Sequence, residues 1–234
     1  MSGICAIVVA AGEGLRFGRP GGKQLAPVMG SPLFTHALRA FDASGAMDLI
    51  SLVVNPAQAA ECRSVLAGLA LATPCSVVNG ADTRQGSVRN GLASLPDSRI
   101  VLIHDGARPM VTPDLITRTV DALIAEPEID GVIVGMPATD TVKSVDQSGQ
   151  VVRTEDRDLI WLIQTPQVFR TSALRKAYQR AEADGFVGTD DASVIEHAGG
   201  VVRVVQGLRE NIKVTVPGDL ELVERLLDER CGNR

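Results

Sequence analysis

Apolar and polar positions fall into blocks along the chain, and the blocks change period. Ile4 to Ala11 is apolar at every position, the pattern of a strand covered on both faces. Ser31-Pro32 reads as an N-cap and first-turn proline for a helix through about Phe41. Asp48 to Val54 predicts a second strand, closed by Asn55-Pro56, and Ala57 to Leu69 a helix. Pro74 to Val78 predicts a short strand ending at Asn79-Gly80, followed by a helix from about Arg84 to Leu95. Ile100 to His104 is a further buried strand, Thr112-Pro113 caps a helix to about Ala125, and Gly131 to Met136 is the next strand. Strands alternating with helices are the mark of a mostly parallel sheet with helices on both faces.

Between Pro137 and Asp158 the pattern turns polar and alternates about Ser148-Gly149, which predicts a hairpin. An isolated hairpin is marginal in water, so this arm is expected to pack against something, a second subunit being the natural choice. The core pattern resumes at Leu159 to Gln164, Thr165-Pro166 and Phe169. Helices follow over about Ser172 to Ala183 and from Gly188-Thr-Asp-Asp-Ala192 to His197. Val201 to Val205 and Ile212 to Thr215 are the last predicted strands, and Pro217-Gly-Asp219 opens a final helix. With no repeat and no linker, residues 1–234 are expected to form one domain, with a β-arm at about 137–158.

The loop after the first strand carries the first candidate chemistry. It holds Gly12, Gly14, Gly18, Gly21 and Gly22, with Arg16, Arg19 and Lys23 among them. Glycines let backbone N–H groups approach an anion, and cations neutralise it, so the loop points to a polyphosphate. Two familiar phosphate loops fail here. A dinucleotide fingerprint needs glycine at 17, where Phe17 stands. A P-loop ending at Gly22-Lys23 needs the same glycine, and Ser or Thr in place of Gln24. Other polar groups sit at strand ends: Gly80, Asp82 and Ser87; Asp105 and Arg108; Thr165; and Lys213 within the last predicted strand. Ligands of open parallel sheets bind beyond such carboxyl ends, so these separate segments are expected to line one cleft.

Composition narrows the classes. Net charge is −5 and aromatic content 3%, which gives neither the basic footprint nor the stacking platforms of a nucleic-acid binder. No apolar run approaches the length of a membrane span. Cys5, Cys62, Cys75 and Cys231 form no C-x-x-C pair and the three histidines are scattered, so no zinc site is expected. A reducing cytoplasm suits such a chain. Asp190 and Asp191 are read as a helix N-cap rather than a metal site, and His104 as a packing residue.

Taken together, the blocks resemble the 2-C-methyl-D-erythritol 4-phosphate cytidylyltransferase family. The resemblance rests on Ala10-Ala-Gly12 with Arg16 and Lys23-Gln24; Gly80-x-Asp82 with Ser87-Val88; and His104-Asp-Gly-Ala-Arg-Pro109. It continues through Asp140-Thr-Val-Lys143, Arg157, Gln164-Thr-Pro-Gln167, Thr189-Asp190 and Glu210-Asn-Ile-Lys-Val-Thr215. It implies a Rossmann-like fold of the nucleotide-diphospho-sugar transferase type, and transfer of CMP from CTP to a polyol phosphate with release of pyrophosphate, in isoprenoid synthesis. It implies that Ala10, Ala11, Gly12, Gly14 and Gly106 hold the ribose and phosphates of CTP, and that Gly80, Asp82 and Ser87 read cytosine. Arg16 and Lys23 would stabilise the α-phosphate and the leaving pyrophosphate; Asp105 and Lys213 complete the catalytic set. Asp105, Arg108, Thr141, Arg157, Thr165 and Lys213 would bind the acceptor, with Thr141 and Arg157 reaching it across a homodimer. Mg²⁺ is the implied cofactor, held mainly by the CTP phosphates and not by protein ligands. Val9, Gly21-Gly22 and Leu25 depart from the family's usual residues. The rival readings are the same chemistry on ribitol 5-phosphate, a nicotinamide oxidoreductase, and a non-catalytic nucleotide-binding module.

Overall fold

A computed structural model of the chain describes residues 3–12, 14, 17 and 22–232. Its strands are β1 (Ile4–Ala10), β2 (Pro27–Val28), β3 (Ser31–Pro32), β4 (Leu49–Val54), β5 (Cys75–Asn79), β6 (Ile100–Asp105), β7 (Gly131–Pro137), β8 (Lys143–Val145), β9 (Val151–Thr154), β10 (Trp161–Arg170) and β11 (Val202–Gln206). The helices are α1 (Leu33–Ala43), α2 (Ala59–Ala67), α3 (Arg84–Ser94), α4 (Pro113–Ala125), α5 (Thr171–Asp184), α6 (Asp191–His197) and α7 (Gly218–Gly232).

Seven strands form one sheet in the order β11-β7-β10-β6-β1-β4-β5. All neighbours are parallel except β10, which runs antiparallel to both β6 and β7. The apolar run of β1 is explained by its two faces. Ile4, Ala6, Val8 and Ala10 enter one core with Phe34 and Phe41 of α1 and Leu115 of α4. Cys5, Ile7 and Val9 enter another with Val88 of α3 and Leu174 of α5. A strand buried on both sides has no solvent face, so its period of two disappears. A third core joins Phe17, Val28 and Leu33 to Met110, Val214 and Val223 of α7. It packs the C-terminal helix against the loop region that follows β1.

Three expectations are corrected, the third at Thr165 below. Ser31-Pro32 does not cap α1; it pairs with Pro27–Val28 as a two-residue ribbon, and Pro32 precedes the helix with no side-chain cap. Thr35 instead donates its hydroxyl to the Pro32 carbonyl at 2.7 Å. The segment Ile212 to Thr215 is not a strand. It runs as an unpaired stretch whose Val214 N–H donates to the Ala107 carbonyl at 2.8 Å. Its alternating apolar residues serve a loop-to-helix contact, which a strand pattern mimics.

The arm is a two-stranded ribbon in which β8 pairs antiparallel with β9, turning at Gly149 with φ +86°. Thr165 lies inside β10, not after it. The register of β10 shifts between Ile163 and Gln167, where Pro166 can donate no ladder hydrogen bond.

Candidate active site

The carboxyl ends of β1 and β6 are adjacent, with Val9 paired to Asp105. Asp105 ends β6 and is the electrostatic centre of the region, 7% exposed. Its Oδ2 lies 2.7 Å from Lys213 Nζ and its Oδ1 3.3 Å from Arg84 Nε. Arg108 Nε stands 3.9 Å from Oδ2. Burial opposes ionisation of Asp105, but Arg84, Lys213 and Arg108 outweigh it and hold its carboxyl well below the usual range.

Behind the carboxylate is a relay of neutral groups. The Asp105 N–H donates to Thr165 Oγ1 at 3.0 Å, and Thr165 Oγ1 lies 3.0 Å from His104 Nδ1. His104 Nε2 lies 3.1 Å from the Arg108 carbonyl, which can only accept. The tautomer follows: Nε2 carries the hydrogen, and Nδ1 accepts the Thr165 hydroxyl proton. His104 is fully buried, and burial lowers its pKa to about 4, with Asp105 and the Arg108 carbonyl pulling the other way. It packs against Phe41 with ring centroids 5.2 Å apart. It is a packing residue, as expected, and it also fixes the Thr165 hydroxyl.

This neutral imidazole has a consequence for stability. An unfolded chain protonates it near its ordinary 6.5, whereas the folded one resists to about 4. Its contribution is therefore complete above pH 6.5 and is lost as pH falls toward 4, by about 3 kcal/mol at most. Urea midpoints measured from pH 7 to 4.5 are expected to fall, and His104→Gln is expected to flatten that decline. The same slope in His104→Gln would place the acid sensitivity elsewhere.

Arg108 donates Nη1 to the Asn211 carbonyl at 2.8 Å and Nη2 to the Ile163 carbonyl at 3.4 Å. Its Nε–H is buried without a hydrogen-bond partner. Asn211 donates Nδ2 to the Thr165 carbonyl at 2.8 Å, which ties the 211–215 segment to β10. Asp219 of α7 accepts the Thr215 and Val216 N–H groups at 2.6 and 3.0 Å. Lys23 Nζ donates to the Val214 carbonyl at 2.7 Å, so the glycine loop and the Lys213 segment meet.

On the nucleotide side, Gly80 follows β5 and donates its N–H to the Val54 carbonyl at 2.7 Å. A Cβ at Gly80 would lie 2.4 Å from Ala11 Cβ, so only glycine lets this loop lie on the end of β1. Ser87 is buried; its Oγ accepts the Ala81 N–H at 3.0 Å and reaches the Thr83 carbonyl at 2.9 Å. Thr83 caps α3 by accepting the Gly86 N–H at 2.9 Å. Ser87 therefore shapes the 80–83 loop, whose Ala81, Asp82 and Thr83 are exposed. Gly106 donates its N–H to the Val9 carbonyl at 2.8 Å, Ala10 and Ala11 are buried, and Gly12 is exposed. Gly14 has φ +65° and lies against Lys23.

Asp105, Arg108, Thr165 and Lys213 are thus in one cluster, with Lys23 joined to it through Val214. Arg16 lies outside the described residues. Thr141 and Arg157 do not bond to the cluster; they line a hollow on the arm with Thr154, Glu155, Asp156 and Asp158, about 280 Å³ in volume. Sequence reading missed Arg84, which bridges Asp105 and Asp191. Its place at the first turn of α3 made it look like an ordinary helical cation. Asp190 caps α6 in a reciprocal box with Ser193, as expected. Among the described residues no three His, Cys, Asp or Glu side chains gather as a metal site, and no helix is long and apolar enough to cross a membrane.

Comparison with known proteins matches residues 4–229 to the model of the family described as 2-C-methyl-D-erythritol 4-phosphate cytidylyltransferase. The enzyme of that name from Alkaliphilus metalliredigens is 41% identical over 98% of this chain and 95% of its own. That from Thermosynechococcus vestitus is 41% identical over 96% and 95%. Among solved structures, the 4-diphosphocytidyl-2C-methyl-D-erythritol synthase of Anaerococcus prevotii superposes with TM-score 0.84, at 32% identity, over 96% of this chain and 98% of its own.

Proposed function

Because the chain belongs to the 2-C-methyl-D-erythritol 4-phosphate cytidylyltransferase family, and so is a nucleotidyltransferase that moves CMP from CTP to that acceptor, we propose that the cluster around Asp105 is its active site. The observation that carries this assignment is the collar of cations on one carboxylate, at the paired carboxyl ends of β1 and β6. The reading favours the erythritol acceptor over ribitol 5-phosphate, and catalysis over a mere nucleotide-binding module.

CTP lies, in this reading, along the loop after β1. The backbone of Ala10, Ala11, Gly12 and Gly14, with Gly106, holds ribose and phosphates. The exposed loop at Asp82, hung from Gly80 and braced by Ser87, reads the cytosine edge. Asp105, Arg108, Thr165 and Lys213 take the acceptor. Thr165 offers only its remaining lone pair, because its proton is committed to His104. The Nε–H of Arg108 is buried and unpartnered, so a small turn of the side chain toward a bound acceptor oxygen would satisfy it.

An acceptor phosphate oxygen attacks the α-phosphorus of CTP in line. A new P–O bond forms, the bond to the pyrophosphate oxygen breaks, and the electron pair leaves on pyrophosphate. A phosphate monoester is already a nucleophile at neutral pH, so no base is required, and His104 stays neutral behind the site. Lys23, with Arg16, neutralises charge on the α-phosphate and leaving group, and the work is positioning and electrostatics.

The residues present suit Mg²⁺ only as a companion of CTP. Asp105 is the carboxylate at the cluster's centre, and it is already paired with cations. The phosphate oxygens would therefore be the metal's main ligands, and the ion would supply Lewis acidity there.

The arm supports a homodimer. Val145, Val151 and Val152 are each more than half exposed, as are Leu159 and Leu162 beside them. A second copy covering them would bring Thr141 and Arg157 to its neighbour's acceptor pocket. Val152→Asp with Leu162→Asp is expected to yield monomers in sedimentation and to raise the acceptor KM. A double variant that stays dimeric would remove the arm from the interface. A cytoplasmic setting, with reduced cysteines, completes the proposal.

The reaction is tested by pyrophosphate release from CTP and Mg²⁺ with methylerythritol phosphate and ribitol phosphate as parallel acceptors. Release with the first is expected. Release with ribitol phosphate alone would overturn the assignment.

A further inference from the structure

We propose that Arg84 is the positioning residue of the acceptor pocket: it anchors Asp105 so that Arg108 stays available to the acceptor. The inference rests on the active-site reading above. Arg84 opens α3, directly after the loop assigned to cytosine. Its Nε reaches Asp105 Oδ1 at 3.3 Å and its Nη2 reaches Asp191 Oδ2 at 2.8 Å. The guanidinium fork thus spans two carboxylates from different parts of the chain, a task for which lysine has no geometry.

The far end of this fork is fixed. The Asp191 side chain is fully buried at the first turn of α6, and its Oδ1 accepts the Tyr178 hydroxyl at 2.6 Å. Burial, reinforced by Asp191, raises the Tyr178 pKa, so that hydroxyl keeps its proton. Gln167 of β10 donates to Asp190 Oδ2 at 2.7 Å and accepts the Ala192 N–H at 3.2 Å, which locks α6 to the sheet. Arg84 is therefore tethered to a rigid base, and Asp105 to Arg84.

The near end shows what the tether does. Asp105 is faced by Arg84, Lys213 and Arg108, with His104 behind it. Arg108 Nε stands 3.9 Å from Asp105 Oδ2, too far for a hydrogen bond, and its N–H is buried without a partner. A buried donor left unpaired is costly. With Oδ1 held by Arg84 and Oδ2 by Lys213, the carboxylate cannot turn to satisfy it. Without Arg84 a small rotation closes the gap, and Asp105 and Arg108 neutralise each other. The acceptor then finds its guanidinium already taken.

The test is the split between the two Michaelis constants. Arg84→Gln is expected to raise the acceptor KM by about tenfold or more. The CTP KM is expected to move less than about twofold, because the 80–83 loop is held by Thr83 and Ser87 without the Arg84 side chain. Arg84→Lys is expected to fall with Arg84→Gln, since one ammonium cannot hold both carboxylates. Arg84→Gln/Asp191→Asn removes the half-buried cation and its fully buried partner charge together, which guards against loss of fold, and is expected to keep the acceptor defect. Arg89→Ala, an exposed ion-pair site on the same helix, is the control with ordinary constants. Equal rises in both constants, an unchanged acceptor KM, or full rescue by lysine would overturn the proposal. Asp105→Asn separates the two levels. If it leaves the acceptor KM unchanged, the active-site reading fails and this inference with it. If it raises that KM while Arg84→Gln does not, the inference alone fails.

Discussion

Lys23→Ala is expected to lower turnover on the order of a hundredfold or more, with the fold retained. The structural loss is small. Lys23 is half-buried, and its Nζ donates to the Val214 carbonyl at 2.7 Å. Losing one such bond costs about 0.5–1.5 kcal/mol. The kinetic loss is large because the ammonium, at the end of the glycine loop, meets negative charge that develops on the transferring phosphoryl group. Lys23→Gln separates the two effects. Glutamine retains a donor for Val214 but carries no charge. If charge matters, turnover of Lys23→Gln at saturating CTP falls as far as that of Lys23→Ala. If the contact with Val214 matters, glutamine restores it. Near wild-type turnover in a folded Lys23→Ala protein would remove Lys23 from catalysis.

Much of this arrangement was legible in the sequence, for identifiable reasons. The uninterrupted apolar run of β1 and the capped starts of α4 and α6 are local signals, and the structure follows them. The mostly parallel sheet follows from the alternation of elements. The antiparallel course of β10 does not, since a buried strand reads the same in either direction. Ile212 to Thr215 alternates like a strand, but its apolar residues pack beside α7, a contact set by distant Val223 and Met110. Strand ends located Asp105 and Arg108, while Thr165 and Lys213 join them from inside β10 and from an unpaired segment. Arg84 escaped because its partners, Asp105 and Asp191, are 21 and 107 residues away. Ser87 looked like a base-reading hydroxyl; in the structure its Oγ is turned onto its own loop. A sequence names the donor but not its target.

The second large effect is expected at Lys213. Lys213→Ala should lower kcat/KM for the acceptor on the order of a hundredfold while changing the melting temperature by no more than a few degrees. The separation follows from exposure. The Lys213 side chain is 40% exposed, and an ion pair in such a place contributes about 0–1 kcal/mol to stability. Asp105 also keeps Arg84 when Lys213 is removed, so no carboxylate is left alone. The kinetic effect does not share this insensitivity. A bound phosphate excludes water, and a charge interaction modest in the free enzyme grows when the pocket is filled. Lys213→Arg tests position against charge. It keeps the cation but lengthens the head group, and it is expected to recover less than wild-type activity, because the 2.7 Å contact with Asp105 Oδ2 leaves little room for a guanidinium. Raising the ionic strength should weaken acceptor binding in wild type more than in Lys213→Ala. If both proteins respond to salt alike, Lys213 does not face the acceptor, and its ion pair with Asp105 is structural.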